Sequence, residues 1–194
     1  GLAVYDYIRL FFSVVIARSA VPIFFIISGY LLFRKVEEYG KQVYVGKLKK
    51  RWHSLVIPYL SWNVLIVLRT LAFKLGGILL HGKSWSGVGD YFLQNGCLHM
   101  LWDSSVWDER TTWLGVETHN SGPVLLPFWY MRDLIMMVVL SPAFFWLIKR
   151  LRFFFILLLM AVYAFDIRVA WMSGTFTAAG LFFGCGAYFT IMKQ

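Results

Sequence analysis

Five long apolar segments, with most of the charge confined to the loops between them, constrain this chain more than any other feature. A helix that crosses a bilayer needs about 20 mostly apolar residues at 1.5 Å rise each. The segments 19–33, 55–73, 125–148, 153–165 and 174–192 approach that requirement. Segment 55–73 is interrupted only by Arg69, and 125–148 contains Arg132 and Asp133. The pattern predicts an all-α fold, a polytopic transmembrane helix bundle of about five spans. Composition agrees: 59% of residues are hydrophobic and 15% charged, against roughly 45–50% and 25% in soluble domains.

Ahead of the first segment, Asp6, Arg9 and Ser13 recur at helical spacing among Leu10, Phe11, Phe12, Val14, Val15 and Ile16. This reads as an amphipathic helix lying at the interface. Arg18 then marks a corner at the membrane surface, with Pro22 tolerated in the first turn that follows. The net charge of +9 gathers in two loops, Arg34, Lys35, Lys41, Lys47, Lys49, Lys50 and Arg51 in one and Lys149, Arg150 and Arg152 in the other. Orientation in the bilayer explains such runs, both loops being cytoplasmic by the positive-inside rule. No module that reads bases is present, so the reading is no nucleic acid.

Loop 74–123 carries Lys74, Lys83 and Arg110 against Asp90, Asp103, Asp108, Glu109 and Glu117, which suits the extracytoplasmic side. Its aromatics, Trp85, Tyr91, Phe92, Trp102, Trp107 and Trp113, are too many for a disordered linker. A short helix over 90–101 and a lid over the outer mouth are expected. Cys97 in this loop and Cys185 in an apolar segment differ in depth and predict no disulfide. His99 and His119 fit no metal-ligand spacing and read as solvated loop residues, so no metal is expected. The chain opens on Gly1-Leu2-Ala3-Val4 and closes just after an apolar segment, and reads as an excerpt of a longer protein.

The stretch Arg18-Ser19-Ala20-Val21-Pro22-Ile23-Phe24-Phe25-Ile26-Ile27-Ser28-Gly29-Tyr30-Leu31-Leu32 resembles the second-span signature of the acyltransferase family 3 membrane proteins. Two further landmarks follow in that family's order. One is a basic run leading to Pro58-Tyr59 and Trp62-Asn63; the other is Pro127-Phe128-Trp129-Tyr130-Met131-Arg132-Asp133-Leu134-Ile135. The resemblance implies one membrane-embedded acyltransferase domain over 1–194, part of a protein of about ten spans. It implies transfer of an acyl group, often acetyl, from cytoplasmic acyl-CoA (acetyl-CoA) as co-substrate to a hydroxyl of a cell-surface sugar or polysaccharide. Partners would be the lipid bilayer, acyl-CoA and a glycan acceptor, with the protein in the cell membrane as a multi-pass protein. The family's essential His, with an Arg upstream of it, would lie before Gly1, so this stretch alone would lack the catalytic base.

The residues also carry readings of their own. Lys47, Lys50, Arg51 and His53 put cations and a His at the cytoplasmic entrance to a span, suited to CoA phosphates, with Trp52 beside them for adenine stacking. The same run equally suits a topogenic anchor on anionic lipid. In the family an Arg recurs three residues after the first, where this chain has Ser54. On the acceptor side the candidates are Arg18, Trp129, Arg132 and Asp133. Arg132 and Asp133 are costly at membrane depth, and as helix neighbours pointing about 100° apart they are expected to seek partners on other spans or to sit near the outer interface just after Pro127. Trp129, four residues before Asp133, offers a platform for a sugar ring or a belt residue. Arg69 reads as snorkelling, and Gly180 and Gly184 as a close helix contact. The rival to an acyltransferase is a transporter or flippase of a lipid-linked glycan or acyl group, which would favour paired broken helices.

Overall fold

The computed structural model describes residues 5, 17–36, 38–82, 84, 85, 88–90, 101, 102, 104–113, 116–125, 128–165, 167 and 176–193. Among the described residues seven α-helices and one hairpin follow one another in this order. α1 is Ala17–Phe33 and α2 is Lys41–Arg51. A π turn, Trp52–Val56, leads directly into α3, Ile57–His81. The hairpin strands are β1, Ser104–Trp113, and β2, Val116–Gly122. Then come α4, Trp129–Val139; α5, Ser141–Leu151; α6, Phe153–Ala164; and α7, Phe176–Lys193.

Among the described residues one helix is long and apolar enough to cross a membrane, the continuous 40-residue run Lys41–Leu80. A second counts only if the bent pair α4 and α5 is one span. This corrects the expected five. The stretch Ser19–Phe33 and helix Phe153–Ala164 are shorter apolar helices, about 22 Å and 18 Å at 1.5 Å per residue, against roughly 30 Å of hydrocarbon. In α7 the glycines, threonines and Lys193 dilute the apolar content. The expected segment 125–148 breaks at Leu140, where Pro142 opens α5. Proline has no N–H to continue a helix and clashes with the carbonyl four residues back. Among the described residues the fold is therefore all-α apart from the hairpin, with one candidate span, or two if the bent pair is one.

The same proline physics explains the π turn. Pro58, in the first turn of α3, has no N–H to donate to the Ser54 carbonyl, and the Ile57 N–H reaches back five residues to donate to the Trp52 carbonyl. At its far end α3 stops on Gly82, whose φ of +61° is the left-handed region, with its N–H donating to the Gly77 and Ile78 carbonyls. Glycine closes helices this way because it has no Cβ to clash.

Two compact units emerge from the packing, each with its own core. The first comprises 1–48, 136–167 and 177–194. Its centre is aromatic: Phe33 meets Phe183 edge-on at 6.3 Å, Phe183 meets Phe144 at 5.4 Å, and Phe144 meets Phe155 at 5.6 Å. Here α1 and α7 touch backbone to backbone. A methyl on Gly29 would overlap the Phe183 carbonyl, and one on Gly186 would overlap the Ile26 carbonyl. The Thr190 hydroxyl donates across the same contact to the Tyr30 carbonyl at 3.1 Å. Gly184 packs under Leu159 and Phe144, whereas Gly180 has only an ordinary contact with Met137. The expected glycine pair is thus half right, and the tightest approach uses Gly29 and Gly186. In α6, Phe153, Phe154, Leu157, Leu158, Met160 and Tyr163 are all exposed, an apolar surface suited to lipid.

The second unit comprises 49–135 and 168–176. Its hairpin pairs β1 with β2 antiparallel, from Trp113 opposite Val116 to Ser104 opposite Gly122, with an irregularity between Ser104 and Glu109. The hairpin lies inside the loop expected to be extracytoplasmic. Of the helix expected over 90–101, Asp90 is helical together with 88 and 89, and 91–100 lie outside the described residues, as does the expected interfacial helix from Asp6 to Ile16.

Candidate functional site

The second unit gathers two of the sequence landmarks onto one face of α3. Tyr59 and Asn63 are four residues apart, hence on the same side of the helix, and both are buried. Asn63 is a polar group in an apolar helix, and burial requires that its hydrogen bonds be made. Its Nδ2 donates to the Tyr59 carbonyl at 2.7 Å, and its Oδ1 accepts from the Leu125 N–H at 3.2 Å. The Tyr59 hydroxyl donates to the Leu101 carbonyl, and its ring stacks on Phe128 at 6.5 Å. One face of α3 therefore ties down the turn at 101–102, the approach to α4 and the first residue before that helix.

Arg132 and Asp133 come next along α4, both at 0% exposure. Arg132 Nη1 donates to the Trp102 carbonyl at 2.8 Å, and the guanidinium carbon lies 5.8 Å from the Trp102 ring centroid. Its Nε sits 3.5 Å from Asp133 Oδ1. The two neighbours therefore pair with each other, contrary to the expectation drawn from their 100° separation. The Arg side chain is long enough to swing round the helix to the shorter Asp. At 3.5 Å the contact is an ion pair more than a well-formed hydrogen bond, and the Trp102 carbonyl supplies the better-placed acceptor. Tyr59 lies within the electrostatic reach of both charges. A buried guanidinium and carboxylate beside a phenol and an indole form a polar knot in apolar surroundings. Such a knot can bind hydroxyls or polarise a carbonyl. Among the described residues no cluster of His, Cys, Asp and Glu could hold a metal ion.

The other expected acceptor residues divide. Trp129 opens α4 half-buried, edge-on to Tyr130 at 6.3 Å. Arg18 lies in α1, but its side chain is outside the described residues. His99 is also outside them, and of His119 only the strand backbone is described. Sequence reasoning quoted Tyr59 and Asn63 as landmarks without giving them a role, and took Trp102 only as a loop aromatic. An uncharged amide inside an apolar run, one turn after a Tyr, was the available signal.

On the donor side, the Lys47 ammonium donates to the Leu32 carbonyl in the last turn of α1, where a cation complements the helix dipole. Its charge is thereby engaged within the first unit. Lys50 and His53 are exposed and Arg51 is half-buried. His53 Nδ1 lies 3.2 Å from the Lys49 carbonyl, and Ser54 Oγ donates to the Lys50 carbonyl at 3.3 Å. The hydroxyl at the departed family position is thus turned onto its own helix.

The family model described as an acyltransferase domain, acyltransferase family 3, matches residues 2–192. The chain belongs to acyltransferase family 3. The matched region contains all three landmarks, and the last two meet where Tyr59 stacks on Phe128, beside the Arg132–Asp133 pair. It is 27% identical over 147 residues to the succinoglycan biosynthesis protein ExoH of Rhizobium meliloti (strain 1021), covering 75% of this chain and 34% of that protein. The chain thus spans about a third of the curated relative it matches. No solved structure matches it.

Proposed function

We propose that the protein carrying this chain is a cell-membrane acyltransferase that moves an acyl group, acetyl in the simplest case, from acyl-CoA to a hydroxyl of a cell-surface polysaccharide. The observation that carries the reading is the convergence of two family landmarks on one fully buried ion pair, Arg132 with Asp133, beside Tyr59 and Trp102. A chain keeps charges at such a depth at a cost of several kcal/mol. The relative's name, a succinoglycan biosynthesis protein, favours a polysaccharide acceptor. Trp129 supplies a ring on which a sugar can stack, and Arg132 and Asp133 hold the polar floor of that region. Lys50, Arg51 and His53, at the basic end of the candidate span, take the CoA phosphates on the cytoplasmic side, and loop 74–123 lies on the acceptor side.

Two variants of the complete protein test this in proteoliposomes supplied with labelled acetyl-CoA and polysaccharide. Arg51→Ala is expected to raise the donor KM about tenfold or more, since a hydrogen bond to a charged group contributes roughly 1.5–3 kcal/mol. Asp133→Asn is expected to abolish most transfer and, by taking the carboxylate away from the buried Arg132, to cost about 3–5 kcal/mol of stability. Stability in detergent is measured on the same samples. Wild-type transfer and stability in Asp133→Asn would remove the pair from the site. A normal donor KM in Arg51→Ala would leave the basic run as an anchor alone. Transport of glycan with no acylated product would instead establish the transporter.

A further inference from the structure

The far half of α3 bounds a cavity of about 440 Å³ that the proposed transfer does not use, walled by Arg69, Thr70, Phe73, Lys74, Ile78 and Ser84 among others. Two cations and two hydroxyls line it, and none of the described lining residues is acidic. The charge complement is therefore an anion. Arg69 is exposed, and its guanidinium carbon lies 5.6 Å from the centroid of the Phe73 ring. Stacking uses the flat face of the guanidinium and leaves its N–H donors, which lie in the plane, directed outward at planar or tetrahedral oxyanions. Phosphate oxygens satisfy that geometry with charge-assisted hydrogen bonds.

Position along the helix narrows the ligand further. Arg51 and Arg69 are separated by about 27 Å at 1.5 Å per residue, close to the roughly 30 Å of a hydrocarbon core. No Asp, Glu, Lys or Arg lies between them. With Arg51 at one headgroup level, Arg69 falls at the other, and Lys74 lies about 7 Å beyond it. Leu65, Leu68 and Phe73 are exposed on the same stretch of helix, where acyl chains would run. Phe73 and Ile78 give the cavity an apolar wall continuous with that surface.

We infer that this cavity binds the phosphate-bearing headgroup of an anionic membrane amphiphile. Arg69 and Lys74 take the phosphate, and Phe73 and Ile78 cover the first carbons of the lipid. The inference is independent of the acyl-transfer reading, because none of the cavity residues is among those given a donor or acceptor role.

Native mass spectrometry of the complete protein, released from detergent after incubation with one probe at a time, tests it. The probes are phosphatidylglycerol, phosphatidylcholine and inorganic phosphate. Both lipids carry a phosphodiester, but only the first has a net negative charge. Phosphatidylglycerol is expected to be retained at least tenfold more than phosphatidylcholine. Arg69→Gln with Lys74→Gln is expected to abolish that preference while helical content by circular dichroism stays at the wild-type level. Should the double variant lose helicity, Arg69→Gln alone is read in the same way, because that side chain is exposed. Equal retention of the two lipids by the wild type, or an undiminished preference in the variant, overturns the proposal. So does tight uptake of inorganic phosphate without uptake of lipid, which would make this a free-anion site.

Discussion

At Tyr39 a single hydroxyl reports on a connection within the first unit. Its oxygen lies 2.7 Å from Ser141 Oγ, and the Ser141 hydroxyl donates to the Val138 carbonyl at 2.6 Å. Serine has one proton to give, so Tyr39 is the donor of the pair. Its ring stacks on Phe145 at 5.3 Å. Burial pushes the Tyr39 phenol above its usual value, the Ser141 contact opposes this, and nearby Tyr44 adds to it. A raised value means that the fold favours the neutral form. The corresponding stability is complete below about pH 10, the unfolded value, and is lost as pH rises through the higher folded value. Thermal unfolding of the complete protein in detergent from pH 8 to 11 should show a steeper alkaline decline for wild type than for Tyr39→Phe. Parallel curves would mean that the phenol stays neutral, or ionises without cost, over that range. At this same scale Arg132 and Asp133 stood out in the sequence as charges inside an apolar segment, but their mutual pairing did not. Helix spacing orders Cβ directions and says nothing about how far a guanidinium can travel.

Helix-on-helix contact in the first unit depends on two glycines that no local pattern singles out. Gly29 and Gly186 bring α1 and α7 together so closely that a methyl on either would meet backbone, which cannot rotate away as a side chain can. Gly186→Ala is therefore expected to destabilise the complete protein by about 1–3 kcal/mol, the usual cost of overpacking. Gly46→Ala is the control: nothing lies within 4 Å of its added Cβ, and alanine is favoured over glycine in a helix by about 1 kcal/mol. Opposite signs in the two unfolding midpoints are the expected result, and a neutral Gly186→Ala would mean that the contact is slack. The GxxxG at Gly180 and Gly184 was visible because both members lie on one helix; Gly29 and Gly186 are 157 positions apart, and only the fold makes them neighbours. Helix positions themselves were largely legible. The expected 19–33, 153–165 and 174–192 lie within two residues of α1, α6 and α7, because apolar runs bounded by charge mark helices well. The hairpin was not legible, since its strands carry mostly polar residues with no alternating apolar face.

For the whole molecule, the continuous helix Lys41–Leu80 sets the membrane relation. Lys49 lies before its apolar stretch and Gly89 beyond its end, and both positions are exposed. With Cys97 and Cys185 replaced by serine, Lys49→Cys and Gly89→Cys are expected to react with a membrane-impermeant thiol reagent from opposite faces of sealed vesicles. Reaction from the same face would mean that the helix does not cross. The sequence overstated the number of crossings because a tally of apolar residues ignores where the backbone must break, as it does at Leu140 before Pro142. It located the family landmarks correctly but was silent on their meeting, which depends on the phase of α3. That phase is set by the π turn Trp52–Val56, which inserts an extra residue into the winding before Tyr59 and Asn63. Trp52, His53 and Ser54 are exposed there, so packing demands little of their side chains, whereas their number sets the winding. Removing any one of them would turn Lys50 and Arg51 by about 100° relative to Tyr59 and Asn63. The segment acts as a spacer that keeps the basic end of the rod in step with the buried face at Tyr59 and Asn63, and homologues are expected to keep its count.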